Sequence, residues 1–372
     1  MLIDLSKCFD VVPHKILLKK LAMYGINTKW FQSYLSGHTQ QVQFSNRDGT
    51  TAVSKSKRND IGMFQGGSLS CILYLVYAND LSLHVPESVS IVQFADDTQL
   101  LVTGKKRDIQ AMVDQMEVAL STVFKWFCGH SMKVNAQKTK MLVLGTPSML
   151  RGLQPIQINF CGTTVPESQT VNNLGVTMDR FLSYQPHIDK LTQKCNGVLI
   201  ALNHAKHSMP RTVIKQIVQS LAVSIVRYCL SVYGTCTDTQ LHRVQKVLNF
   251  CARVVTGRRK YDHISDAFNE LGWFRIKELK HYHQLCVVHR SLTTGQPEQL
   301  AATIGHAARQ RHDHNTRRAA EITLPRIHLE AGRRRLNYDG VRAYNSLPFA
   351  PHPTAFRSQL KKHLLARRQA PD

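Results

Sequence analysis

Two adjacent aspartates, Asp96 and Asp97, interrupt an apolar run in IVQFADDTQLLV, residues 91–102. Ile91, Val92 and Phe94 precede them and Leu100, Leu101 and Val102 follow, which predicts a β-hairpin with both carboxylates at its tip. A hairpin tip can present neighbouring oxygens to a hard cation, whereas a regular strand sends successive side chains to opposite faces. A third aspartate, Asp4, follows Met1-Leu2-Ile3 and sits at an expected strand end. If those two strands are neighbours in one sheet, the three carboxylates converge on one edge. Such a cluster can hold two divalent ions ~3.5–4 Å apart that activate an attacking hydroxyl and stabilise a leaving phosphate oxygen. Phosphoryl transfer asks mostly for positioning and charge neutralisation, which convergent aspartates with Mg²⁺ supply. The competing reading of an acidic pair is a solvated turn.

The elements that must position these residues are legible in outline. A helix is expected through KILLKKLAMYG, with Ile16, Leu17, Leu21 and Ala22 on one face and Gly25 as its stop. TKWFQSYLSG predicts a second helix, and the polar, basic stretch from Ser45 to Asp60 a loop or strand pair with a solvated tip. In GMFQGGSLSCILYLVYANDL, Gly66 and Gly67 permit a tight turn and Ser68 or Ser70 could cap the next helix. Ile72, Leu73, Leu75 and Val76 make that helix apolar on most sides, hence buried. Its glycine turn suits close backbone approach by a planar or phosphorylated ligand. An amphipathic helix follows over Arg107 to Trp126, and SMKVNAQKTKMLVLG returns as a strand whose turn carries Asn135, Lys138, Thr139 and Lys140. Strand, helix, helix, hairpin, helix, strand is an α+β order, with helices on one face of an antiparallel sheet.

From about Leu191 the chain becomes helical. Val213, Ile217, Leu221 and Ile225 repeat every four residues, and Leu241, Val244, Leu248, Cys251 and Val255 in a three-four pattern. Arg243, Lys246 and Arg253 flank the second stripe, on either a solvated face or a groove that tracks a nucleic-acid backbone. The closing residues are densely basic yet carry Tyr344, Leu347 and Phe356, enough to dock. Over 372 residues, 48 Lys+Arg against 25 Asp+Glu give a net charge of +23. That field attracts polyanions, nucleic acid first and an anionic membrane surface second. Nine cysteines, none in a CxxC pair, argue against a zinc ribbon or a disulfide framework and fit a reducing compartment, mostly as small buried side chains. Nothing at the N-terminus looks like a targeting peptide, and no apolar run approaches ~20 residues. The expectation is an intracellular chain, nuclear or cytoplasmic, with no membrane and no zinc.

DLSKCFD, GMFQGGSLSCILYLVYANDL, FADD, NAQKTK and NLGVTMD occur in the order and rough spacing of the palm motifs of reverse transcriptases. They look most like those of non-LTR, LINE-type retrotransposons. The resemblance implies a polymerase palm over 1–150, a palm and primer-grip connection over 151–190 and a helical thumb over 191–292. A linker over 293–321 and a basic C-terminal segment over 322–372 complete the expected organisation. It implies that Asp4 and Asp96 ligate two Mg²⁺ ions, Mn²⁺ being possible, with Asp97 supporting or ligating one of them. Phe9 becomes the steric gate beneath the sugar, Gln65 and Gly66 border template and incoming nucleotide, and Lys138 approaches the leaving pyrophosphate. Leu174 and Gly175 become the primer grip. Plain core packing for Phe9 and a solvated lysine for Lys138 are the alternatives.

The family usually has Pro where Phe64 stands, Ser where Gly67 stands and Arg where His38 stands. With three residues before Asp4, the resemblance implies a chain truncated at its N-terminus, without fingers. The function expected is therefore RNA-directed DNA polymerisation on an RNA template, DNA primer and dNTP, impaired by truncation. A catalytically inactive nucleic-acid-binding remnant of a retroelement is the alternative, and an unrelated metal-dependent phosphotransferase or nuclease a third.

Overall fold

The FADD hairpin sits in a three-stranded antiparallel sheet within a computed structural model that describes residues 1–309, 322, 324–327, 329–348 and 354–367. The chain divides into two compact units, Met1–Val171 and Asn172–Asp372. The stretch 151–190, read from sequence as a connection, is thus shared between them.

The first unit opens with β1 (Leu2–Ile3), β2 (Leu5–Ser6), α1 (His14–Met23) and α2 (Thr28–Leu35). Then come β3 (Thr39–Gln40), β4 (Gln43–Ser45), β5 (Thr51–Val53) and β6 (Lys57–Arg58), two nested exposed hairpins where a polar loop or strand pair was expected. Helix α3 (Ser70–Ala78) leads to the hairpin strands β7 (Ser90–Phe94) and β8 (Asp97–Leu101). Helix α4 (Ile109–Gly129), β9 (Lys133–Val134), the single turn α5 (Pro147–Leu150) and the hairpin β10 (Gln157–Phe160) and β11 (Thr163–Pro166) follow.

The sheet order is β1-β8-β7, with Leu2 opposite Gln99 and Ile3 opposite Thr98. Strand β2 pairs with β9, Leu5 opposite Val134. The expected antiparallel sheet is therefore one three-stranded piece with two-stranded ribbons beside it. Ile3, Leu5 and Leu100 meet Leu17 and Leu21 of α1, Leu73, Tyr74 and Tyr77 of α3, and Leu120, Val123 and Phe127 of α4 in one core. Lys20 is buried there too, and its ammonium bonds the Tyr77 carbonyl and Asp80.

Two sequence expectations need correction. Helix α3 is not apolar-in on all sides: Ile72 and Leu75 are each 57% exposed, because the two tyrosines supply enough buried area on the opposite face. Ser70 is not an N-cap; it is the first helical residue, and its hydroxyl donates to the Phe64 carbonyl at 2.5 Å.

The boundary between the two units falls within β12 (Thr170–Asn173), which forms a hairpin with β13 (Val176–Asp179), and α6 (Gln185–Ala205) follows. Helix α7 (Arg211–Val218) continues through a π-helical turn, Gln219–Val223, into α8 (Ser224–Arg227). Next come α9 (Leu230–Tyr233), α10 (Asp238–Thr256), α11 (Ser265–Leu271), α12 (Ile276–Thr294) and α13 (Glu298–Arg309). Short α14 (Glu330–Arg333), α15 (Val341–Asn345) and α16 (Phe356–Arg367) close the described chain. The α10 stripe is buried as expected. Along α7 and α8 the buried residues are instead Ile214, Val218, Ala222 and Val226, one position after the expected stripe, and Leu221 faces out. The paired apolar residues of RTVIKQIVQSLAVSIVR allow either stripe, and packing selects one. The first part of the expected linker is α13; residues 310–321 lie outside the described residues. The basic C-terminal segment docks through Phe356 and Leu360 against Leu285; Arg368 lies outside the described residues. Four of the nine cysteines are buried, fewer than expected. No helix among the described residues is long and apolar enough to cross a membrane.

Candidate active site

Asp97 begins β8 and pairs with Phe94 across the hairpin, leaving Ala95 and Asp96 as a two-residue loop. Ala95 takes a left-handed φ of 51°, which costs an L-residue about 1–2 kcal/mol and turns the chain sharply, leaving Asp96 half-buried and Asp97 exposed. Strand β1 lies on the other side of β8. Carrying its register on by one residue sets Asp4 opposite Asp97. The electrostatics agree: partial desolvation, then the charges of Asp96 and Asp4, hold the Asp97 carboxyl above its ordinary value.

The backbone of Asp4 is fixed by the NAQKT turn. Asn135 N–H donates to the Asp4 carbonyl at 2.8 Å, and Asp4 N–H donates to Thr139 Oγ1 at 3.4 Å. Thr139 is buried and its hydroxyl donates to the Asn135 carbonyl at 3.0 Å, closing the turn. Lys138, inside this turn, is exposed, and its N–H meets the Asn135 carbonyl and side chain. The turn that carries the lysine is thus anchored to the strand that carries the aspartate.

Phe9 is half-buried and stacks on Tyr74 of α3 with centroids 4.6 Å apart. Both sequence readings of it, core packing and a steric gate, are compatible with that half-buried position. Cys8 is buried beside Asp96; burial and the Asp96 carboxylate push its thiol up to about 12, so it stays protonated. Gln65 Nε2 donates to Asp10 Oδ1 at 2.8 Å, tying the glycine turn to the loop after Asp4. That tie depends on Gly62. Its φ is +84°, and a Cβ there would lie 2.6 Å from the Asp10 carbonyl oxygen. Gly66 has the same φ region but opens on free space.

Asp4, Asp96, Asp97 and the lysine turn therefore come together around one sheet edge, with Phe9 and Gln65 on the adjoining loops. Leu174 and Gly175 belong to the second unit, where they form the tight turn between β12 and β13 with φ of 45° and 80°. Sequence reasoning did not single out Cys8, Gly62 or Tyr74. Gly62 opens GMFQGG and could have been flagged as a glycine ahead of a turn; nothing in the sequence marks Cys8 or Tyr74 as neighbours of Asp96 and Phe9.

Among the described residues no three His, Cys, Asp or Glu side chains are arranged as a ready metal cage. Mg²⁺ does not require one. It is commonly held by one or two carboxylates together with waters and substrate phosphates, and an oxygen-only edge with a raised carboxyl fits that donor set.

Residues 1–178 match the family described as reverse transcriptase (RNA-dependent DNA polymerase). The probable RNA-directed DNA polymerase from transposon BS of Drosophila melanogaster is 24% identical over 293 residues, 74% of this chain and 31% of that protein. The RNA-directed DNA polymerase from mobile element jockey of the same species is 25% identical over 333 residues, 85% of this chain and 34% of that protein. A third, the probable RNA-directed DNA polymerase from transposon X-element, is 24% identical over 268 residues, 68% of this chain and 28% of that protein. The chain spans about a third of the length of these curated relatives. Ordered motifs, an aspartate-bearing sheet edge and these matches agree: residues 1–178 are similar to a reverse transcriptase domain, and the chain is similar to RNA-directed DNA polymerases of Drosophila mobile elements.

Proposed function

We propose that this chain acts as an RNA-directed DNA polymerase, extending a DNA primer on an RNA template with dNTPs. In this reading the first unit is the palm and the helices of the second unit the thumb. The observation that carries it is the β1-β8 register, which brings Asp4 beside the hairpin that holds Asp96 and Asp97. Asp4 and Asp96 would hold Mg²⁺, or Mn²⁺ in its place, with Asp97 in support. Bound there, the metal would lower the pKa of the primer hydroxyl and neutralise charge on the phosphates.

The chain's own residues do the positioning. Thr139 and Asn135 hold the Asp4 backbone, and the protonated Cys8 thiol lies beside Asp96. Phe9, braced on Tyr74, would lie under the sugar and disfavour a 2′-hydroxyl. Gln65 and Gly66 would border template and nucleotide, Gln65 oriented by Asp10. Lys138 would meet the leaving pyrophosphate as counter-charge or proton donor. The turn at Leu174 and Gly175 would grip the primer.

The test is Mg²⁺-dependent dNTP incorporation on a primed RNA template, with Asp96→Asn as control. The expected result is incorporation by the wild type and a loss of about a hundredfold or more in the variant. The second reading is a nucleic-acid-binding protein without turnover, supported by the net charge of +23. No incorporation under conditions where a jockey-type enzyme is active, with salt-sensitive RNA binding indifferent to Asp96→Asn, would overturn the polymerase in its favour.

A further inference from the structure

The second unit contains a cleft of about 810 Å³ alongside the helix that runs from α7 into α8. Its π-helical turn, Gln219–Val223, is a distortion found disproportionately at functional sites. Lys215 and Arg227 line the cleft from this helix, and Lys361 from α16. No Asp or Glu lines it, and none of these three cations takes part in an ion pair among the described residues. Among the described residues, Arg227 Nε donates to the imidazole Nε2 of His283, 3.5 Å away. Burial, with the charges of Arg227 and Arg357, holds His283 down to about 4, so the imidazole is neutral and leaves the guanidinium charge uncompensated.

Aromatic rings complete the lining. Phe274 and Tyr282 are half-buried neighbours, centroids 5.3 Å apart, and Tyr228 is 54% exposed. Tyr228 is also the ring against which the β12-β13 turn rests. Its hydroxyl donates to the Leu174 carbonyl at 2.8 Å, and a Cβ on Gly175 would come within 3.3 Å of the ring. The cleft is therefore continuous with that turn.

We propose that this cleft binds single-stranded nucleic acid, stacking an unpaired base on Phe274, Tyr282 or Tyr228 and holding adjacent phosphates with Lys215, Arg227 and Lys361. Uncompensated cations beside aromatic rings match a nucleotide strand, which carries one charge and one π-face per residue. A duplex satisfies only half of that set, because its base faces are stacked inside. The volume lies in the range that encloses a ligand of a few hundred daltons, about one nucleotide. The site requires neither the aspartates nor a metal, so it stands apart from the polymerase reading.

The test uses the full chain in EDTA and fluorescence anisotropy with three probes: a fluorescein-labelled 12-nucleotide oligo(rA), an abasic backbone of equal length, and the 12-mer annealed to its complement. The wild type is expected to bind the intact strand about tenfold more tightly than the abasic one. Phe274→Ala with Tyr282→Ala should bring that ratio close to one. Lys215→Ala with Lys361→Ala should lower the slope of log affinity against log salt by about 1.4 for the single strand, two contacts of ~0.7 each. Equal wild-type affinity for intact and abasic strands would overturn the proposal without any variant having to fold. So would an unchanged ratio in the aromatic variant, or a duplex that loses as much affinity as the single strand when the lysines are removed.

Discussion

His38 and Phe64 lie ring against ring, with centroids 4.2 Å apart and planes tilted by 56°. These are two of the three positions at which the chain departs from the usual reverse transcriptase pattern, and they touch. Tyr34 completes the group, 5.6 Å from Phe64 in an edge-to-face arrangement. An arginine at 38 and a proline at 64 could not form this contact, so each departure is accommodated by the other. A double-mutant cycle over His38→Ala and Phe64→Ala, read by urea denaturation, should give a coupling of about 1 kcal/mol. Additive losses would mean that the rings are neighbours without energetic consequence.

The two glycines with the same φ should respond differently. Gly62→Ala forces a Cβ onto the Asp10 carbonyl and should cost about 3 kcal/mol, combining backbone strain with overpacking. Gly66→Ala meets no atom and should cost about 1 kcal/mol, the left-handed backbone alone. Chemical denaturation of both variants measures the difference. A Gly62 variant as stable as the Gly66 variant would show that the Asp10 loop yields.

At the sheet edge the sign of the pH effect is set by Asp97. Its folded-state carboxyl lies above the ordinary 3.8, so between those two values the folded chain binds more protons than the unfolded one. Stability contributed by this group is present at low pH and is lost as pH rises through the raised value. Asp97→Asn should therefore raise the melting temperature of the metal-free protein at neutral pH and flatten its fall with pH. Melting curves from pH 4 to 8 in EDTA test this; identical profiles for the two proteins would contradict the convergence of the three carboxylates.

Thr139 offers a test of positioning. Thr139→Val keeps the shape but removes the oxygen that accepts from Asp4 N–H and donates to the Asn135 carbonyl. The loss should be about 1 kcal/mol of stability, because Asp4 N–H loses its acceptor while the Asn135 carbonyl keeps the backbone N–H groups of Lys138 and Thr139. If the polymerase reading holds, kcat for incorporation should fall with little change in KM for dNTP, and Thr139→Ser should recover most of it. A valine variant with full kcat would mean that the turn does not govern where Asp4 sits.

Much of this domain was open to reading along the chain because its signals are local. Apolar alternation around a pair of acidic residues marks the FADD hairpin, and helical spacing marks α1, α4 and α10, since each depends on neighbours within a few residues. Where two apolar stripes compete, as in α7 and α8, or where bulky tyrosines share a helix with isoleucine and leucine, as in α3, local spacing misplaces the buried face. The amount of burial is set by what packs against a helix, which the helix's own sequence does not contain.

By itself, then, the sequence determined which groups are available: three carboxylates, a lysine turn, a flexible glycine segment and an excess of cations. Only the tertiary structure decided their relations. Asp4 reaches Asp97 through a pairing between residues nearly a hundred positions apart, and Asn135 and Thr139 close on Asp4 from farther still. Cys8 beside Asp96, Gly62 against Asp10 and Tyr228 beneath Leu174 are likewise contacts of chain segments that no periodicity relates. Hydrogen bonds and van der Waals contacts act over a few ångströms, so function at this edge depends on distances that exist only once the strands have paired.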